Sequence, residues 1–123
     1  MCSKGPFELG HVKKIEAIIK PFKLEEVRIA LCQEGVEGMT IIEVRGFGQQ
    51  RGQTQLFRSV SAAAEFMPKV KLEIVVPDER VSRVVNVIAD SARTGKIGDG
   101  KIFVYNIERA VRIRTHEEGS KAV

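Results

Sequence analysis

Four apolar positions occur twice in this chain at a constant shift. Leu24, Val27, Ala30 and Leu31 are matched by Val81, Val84, Val87 and Ile88. Both sets mark one stripe of an amphipathic helix. Each set follows an apolar run closed by proline, Ile18-Ile19-Lys20-Pro21 in the first case and Val75-Val76-Pro77 in the second. Each is followed by a further apolar run. Two strand-helix-strand halves in a chain of 123 residues leave little room for anything but one domain. The duplication predicts an α+β fold, the ferredoxin-like β-α-β-β-α-β sandwich.

The strands read from their side chains. Lys13 to Lys20 is one, ended by Pro21, which has no N–H for a ladder. Met39 to Val44, Val70 to Val76 and Ile102 to Tyr105 are the others. Gly35 and Gly38 close the first helix, and Asp78 is placed to cap the second. Such a sheet covers one face with helices. Its strands nonetheless carry apolar residues on both faces, Ile15, Ala17 and Ile19 against Ile18, and Val70, Leu72 and Ile74 against Val75. A second apolar face implies self-association.

Between the second helix and the last strand lies Thr94-Gly95-Lys96-Ile97-Gly98-Asp99-Gly100-Lys101, with three glycines and two lysines in eight residues. Glycines let amides turn toward a ligand without Cβ clashes, and amides with lysines make an anion cradle. Gly95 to Lys101 fits the first seven positions of the Walker pattern. Ile102 then stands where a magnesium-binding hydroxyl belongs, and a strand follows in place of a helix. The stretch is a phosphate-loop candidate outside the P-loop NTPases, or an ordinary glycine-rich turn.

The remaining chemistry is sparse. His11 and His116 are the only histidines, and no Cys-x-x-Cys or paired-histidine motif occurs. Cys2 and Cys32 suit a reducing compartment, and Cys32 falls in an apolar helical pattern that reads as core. A formal charge of +4 with pI near 9.3 invites nucleic acid and small anionic metabolites equally. No apolar run reaches membrane-spanning length, and Met1 to Val12 has no signal-peptide core and reads as a flexible arm. The polar C-terminal residues are expected to fray. A binding protein is expected, not an enzyme. One rival is an RNA-recognition module, since Arg45-Gly46-Phe47-Gly48 matches half of that aromatic signature. The other half is missing in Gln49-Gln50-Arg51-Gly52. From Gly48 to Phe66 neither strand nor helix period is visible. A loop that long inside a small domain is usually functional or disordered.

Taken together, these motifs resemble the PII signal-transduction proteins, sensors of nitrogen and carbon in bacteria and chloroplasts. The likeness rests on Lys14-Ile15-Glu16-Ala17-Ile18-Ile19-Lys20-Pro21-Phe22, Gly38-Met39-Thr40, Gly46-Phe47-Gly48, Pro68-Lys69-Val70-Lys71, Thr94 to Lys101 and Val111 to Thr115. It covers residues 13–117, with an arm at 1–12 and a tail at 118–123.

The resemblance implies a homotrimer that is not an enzyme, with ATP or ADP in the clefts between subunits. Residues 48–66 would be its T-loop, which reaches into target proteins, and 93–101 its B-loop. By that likeness Gly46, Gly48, Gln49, Val75, Thr94, Gly98, Asp99, Gly100, Lys101, Arg112 and Arg114 bind nucleotide. Val75 and Thr94 would lie near the adenine, and Arg112 and Arg114 would come from the neighbouring subunit. Gln50, Arg51, Gly52, Lys69 and Gly98 would bind 2-oxoglutarate, with Gln50 on a magnesium ion shared with ATP. The implied partners are proteins of nitrogen and carbon metabolism, an ammonium channel among them. Nucleic acid and membrane insertion are not implied. The implied place is the bacterial cytoplasm, ahead of the plastid stroma. Two departures stand out. Gln49 replaces a common arginine, and Phe57 and Ala62 replace the two tyrosines of the T-loop. Tyr105, the one tyrosine, is expected to be inaccessible in its strand.

Overall fold

The computed structural model describes residues 11–47 and 66–123. Among them the regular elements are β1 (Val12–Ile19), α1 (Leu24–Gln33), β2 (Thr40–Phe47), β3 (Phe66–Pro77), α2 (Val81–Ala92) and β4 (Lys101–Ile107). The strands form one antiparallel sheet in the order β2-β3-β1-β4, the ferredoxin-like arrangement that the duplication predicts. The repeat extends to the helix entries, where the single 3-10 turns Pro21–Lys23 and Asp78–Arg80 lead into α1 and α2.

Alternation along β1 and β3 puts Ile15, Ala17 and Ile19, and Val70, Leu72, Ile74 and Val76, on one face of the sheet. They share a core with Val27 and Leu31 of α1 and Val84, Ile88 and Ala92 of α2. Ile15, Leu31, Leu72, Val84 and Ile88 are fully shielded from solvent. Burying each side chain of this size contributes about 1.5–3 kcal/mol.

α1 ends in a Schellman turn. Val36 N–H donates to the Leu31 carbonyl at 3.0 Å and Gly35 N–H to Cys32 at 3.0 Å. Gly35 has φ of 87°, which glycine adopts without Cβ strain. Val36 and Leu31 close the turn as a buried apolar pair. The Arg80 guanidinium at the start of α2 donates to the Glu34 carbonyl, and Arg83 forks onto the Glu34 carboxylate at 2.9 and 2.7 Å. One carbonyl and one side chain thus tie the two helices together.

The open face of the sheet is mixed. Ile18, Ile42, Val44 and Val75 share it with Lys14, Glu16, Lys71 and Glu73. Both Lys14 and Lys71 lie 3.7 Å from the Glu73 carboxylate. Phe103 and Tyr105 continue this face on β4.

Several local expectations are corrected. Asp78 caps nothing with its side chain. It pairs instead with Lys13 across the sheet edge at 2.9 Å, because the 3-10 turn moves the start of α2 to Val81. Cys32 is exposed, facing away from the sheet that buries Val27 and Leu31. Tyr105 is 44% exposed in the single chain, with the Lys14 ammonium 4.9 Å from its ring centre.

β2 and β3 run past their expected ends to Phe47 and from Phe66, whose rings pack 5.4 Å apart. Pro68 is tolerated inside β3 because β1 stops at Val70's partner, Ile19. Only β2 pairs with β3 at that point. The C-terminal residues do not fray. Val111 bridges Glu118, Gly119 N–H donates to Ala110, and Gly119–Ala122 form a 3-10 turn.

Candidate functional site

The glycine loop is built around one carboxylate. Asp99 accepts the backbone N–H groups of Thr94 at 2.9 Å and Gly95 at 2.8 Å, and the Thr94 hydroxyl. Lys20, at the end of β1, adds an ion pair at 3.2 Å. Four donors occupy the lone-pair sites that a carboxylate offers. The Thr94 hydroxyl bond, aided by the two amides and Lys20, holds the Asp99 carboxyl far below the usual carboxylate range. The Thr94 oxygen is equally committed, since it also accepts from Lys20 Nζ at 3.1 Å and from Lys96 N–H at 3.1 Å. Asp99 and Thr94 therefore shape the loop with their side chains.

Gly95, Gly98 and Gly100 all have positive φ, from 84° to 101°. Gly100 also lies against β1, where an added Cβ would stand 1.7 Å from the Ile18 carbonyl oxygen. The folded loop walls a cavity of about 460 Å³ with Gly46, Phe47, Met67, Lys69, Ile97 and Phe103. Ile18, Gly98, Asp99, Gly100 and Lys101 complete it. Lys69 Nζ reaches across and donates to the Gly98 carbonyl. Burial lowers the Lys69 pKa, the nearby Lys20 cation lowers it further, and Asp99 opposes both. The cavity combines apolar walls, the glycine backbone of Gly98 and Gly100 and the cations Lys69 and Lys101. That combination suits a small anion with an apolar portion.

A second cavity of about 640 Å³ holds other expected residues. Val75 and Arg112 line it, with Gly38, Thr40, Glu73 and Val123. Arg112 sits on a tight loop where its N–H donates to the Glu117 carbonyl at 2.8 Å and its carbonyl accepts from His116 at 2.8 Å. His116 takes φ of 65° to close that loop. Ile113, at its tip, is 92% exposed. Arg114 is exposed and lines neither cavity.

The expected residues thus divide. Gly46, Lys69, Gly98, Asp99, Gly100 and Lys101 meet in one cavity, with Thr94 bonded to it through Asp99. Val75 and Arg112 meet in the other, and the two cavities share no lining residue. Gly48, Gln49, Gln50, Arg51 and Gly52 lie outside the described residues, as does nearly all of 48–66. Thr40, though part of the Gly38-Met39-Thr40 motif, and Glu73 are not among the expected site residues. They are cross-strand partners, and only the register of β2 on β3 brings them beside Val75. Lys20 belongs to the Lys14–Phe22 motif, but its contacts with Thr94 and Asp99 are not legible there, because those partners are far away in sequence.

The comparisons agree on one family. The family model for Nitrogen regulatory protein P-II matches residues 12–117. The chain is 60% identical over 112 residues to the Nitrogen regulatory protein P-II of Haemophilus influenzae, covering 91% of this chain and 100% of that one. It is 56% identical, with the same coverage, to Nitrogen regulatory protein P-II 1 of Escherichia coli K12. A crystal structure of Arabidopsis thaliana PII bound to citrate superposes with a TM-score of 0.77 at 41% identity, covering 93% of this chain and 94% of that one. On these matches and on its fold, the chain belongs to the P-II family of nitrogen regulatory proteins.

Proposed function

We propose that this chain is a P-II-type signalling protein that reports ATP, ADP and 2-oxoglutarate levels to enzymes, transporters or regulators of nitrogen and carbon metabolism. It acts by binding, not by catalysis. Its T-loop, 48–66, meets the targets, and which target it meets depends on the ligands at the loop's base. An ammonium channel is one docking partner of this kind, and the bacterial cytoplasm is the place of action.

The observation that carries this reading is the division of the site. The glycine-loop cavity supplies Gly98 to Lys101, and the other cavity supplies Val75, Thr40, Glu73 and Arg112. A homotrimer joins the first cavity of one subunit to the second cavity of the next. The phosphates then lie on the loop amides and Lys101, the base lies by Val75, and Arg112 and Arg114 close on the phosphates. The exposed Ile113 and the apolar part of the open sheet face favour such an assembly. The Arabidopsis relative is bound to citrate, which supports a family site for polycarboxylate anions.

Among the described residues no group of three or more His, Cys, Asp or Glu can hold a metal, and Asp99 has no acceptor site to spare. Gln50 would hold a magnesium ion through its amide carbonyl, together with oxygens of ATP and the oxo acid. Lys69 pairs with a carboxylate of 2-oxoglutarate. A magnesium ion held by Gln50 and by both ligands would make each ligand strengthen the other's binding.

RNA binding finds no support. The open-face positions of β1 and β3 are Lys14, Glu16 and Ile18, and Lys69, Lys71, Glu73 and Val75. None of these central-strand positions offers a ring for base stacking, and the rings of that face, Phe103 and Tyr105, lie on the edge strand β4.

The test is isothermal titration with ATP, ADP and 2-oxoglutarate, with and without magnesium, beside light scattering. A trimer that takes up one nucleotide per subunit, and the oxo acid only with Mg-ATP, is expected. A monomer, or no nucleotide signal at micromolar levels, overturns the reading.

A further inference from the structure

Lys20 lines neither of the two cavities described, yet it touches the parts that make one of them. Its ammonium donates to the Thr94 hydroxyl at 3.1 Å and lies 3.2 Å from the Asp99 carboxylate. Its side chain is only 17% exposed. It extends from the last residue before the Pro21 turn, so its backbone is set by β1 and Pro21. The glycine loop crosses this same strand end, where Gly100 packs on the Ile18 carbonyl. Lys20 therefore joins a rigid strand to a loop that is held otherwise by Thr94 and Gly95 on Asp99 within the loop, by Lys69 of β3 on the Gly98 carbonyl and by the packing of Gly100 on Ile18.

We propose that Lys20 is a positioning residue that pins the glycine loop to β1 through Thr94 and Asp99 and holds its charge beside Lys69, so that it sets the anion affinity of a cavity it does not line. This rests on the reading that the cavity takes an anion. The loop amides face a ligand only while the loop is seated, and Lys20 seats it. Lys69 then keeps its proton less firmly than an ordinary lysine. Burial and Lys20 weaken its hold and Asp99 strengthens it. The charged groups around Lys69 are Lys20 from β1, Lys71 beside it on β3, and Asp99 and Lys101 from the loop. Its β2 neighbours, Val44 and Gly46, are uncharged.

Two substitutions separate positioning from mere structure. Lys20→Met and Asp99→Asn both remove the clamp and loosen the loop. They change the charge beside Lys69 in opposite senses. In full-length protein carrying 13C-labelled lysine, the Lys69 side chain is titrated by NMR, assigned by its loss in Lys69→Arg. Lys20→Met is expected to raise the Lys69 titration and Asp99→Asn to lower it. Both are expected to weaken ATP about tenfold or more, as loss of a charged hydrogen bond does. Lys20→Arg, which keeps charge and reach, should restore most of the affinity.

Equal shifts in the two variants, or no shift in either, overturn the proposal, as does full ATP affinity in Lys20→Met. If Lys20→Met does not fold, Lys20→Gln and Asp99→Asn carry the same comparison. If the unmodified protein binds no nucleotide, the proposed function fails, while opposite Lys69 shifts would still establish the Lys20 contact.

Discussion

The carbonyl oxygen of Ile18 occupies the space that any side chain on Gly100 would need, 1.7 Å from the ideal Cβ position. The glycine loop is thus seated directly on the backbone of β1. Gly100→Ala must push the loop off the strand and hold alanine at φ of 101°. The conformational cost alone is about 1–3 kcal/mol, and displaced amides should weaken nucleotide binding as well. Thermal unfolding and ATP titration check both. Wild-type melting and wild-type affinity together would show that the loop is not seated this way.

The same loop depends on the charge of Asp99. Its carboxyl is held far below the usual range, first by the Thr94 hydroxyl and then by the two amides and Lys20. A carboxylate with a lowered pKa stabilises the fold above its unfolded value of about 3.9 and loses that contribution as pH falls through the folded value. The loop should therefore stay ordered at pH 4, where an ordinary aspartate is half protonated. Amide chemical shifts of Thr94 and Gly95 followed against pH measure this. A transition near pH 4 would contradict it.

Lys69 gives the opposite dependence on the alkaline side. In the proposed role it would pair with a carboxylate only as the ammonium, and its pKa lies below the ordinary 10.5 because of burial and Lys20. Affinity for 2-oxoglutarate in the presence of Mg-ATP should fall as pH rises, starting below the pH at which an ordinary lysine titrates. Lys69→Leu should abolish oxo-acid binding and spare ATP. Calorimetry across pH, and on the variant, decides. Undiminished oxo-acid binding in Lys69→Leu would remove this lysine from the site.

Leu31 combines core packing with the end of α1. It is fully buried, and its carbonyl accepts the Val36 N–H that closes the helix. Leu31→Ala should destabilise the fold by about 2–5 kcal/mol. Denaturant unfolding of the assembled protein measures it. A loss well below that range would mean that the site collapses around the smaller side chain.

Ligand state alone should switch this protein. Tyrosyl uridylylation needs a phenol at an exposed loop tip, and 48–66 contains none, since Phe57 and Ala62 stand at the two positions. Tyr105 is partly exposed in the single chain but lies within β4 under the Lys14 ammonium. Incubation with a uridylyltransferase and UTP, beside a relative with a loop tyrosine, should leave the mass of this chain unchanged. An adduct would reveal another acceptor.

Much of the architecture is legible in the sequence because its causes are local. Helical period, proline after each first strand and glycine at the end of α1 act within a few residues of chain, so the order of elements can be read directly. The glycine loop is equally visible, since turned amides require glycines wherever the loop lies. Pairings between distant segments have no such local cause. Lys20 meets Thr94 across 74 residues, and Thr40 meets Glu73 only through the β2–β3 register. Asp78 pairs with Lys13 instead of capping α2 because β1 happens to start beside it. Cys32 lies on the exposed side of a helix whose apolar stripe is narrower than its composition suggests. Sequence period tells which residues can share a face. Strand order and register decide which faces meet, and here they place Val75 and Arg112 in a cavity that shares no lining residue with that of the glycine loop.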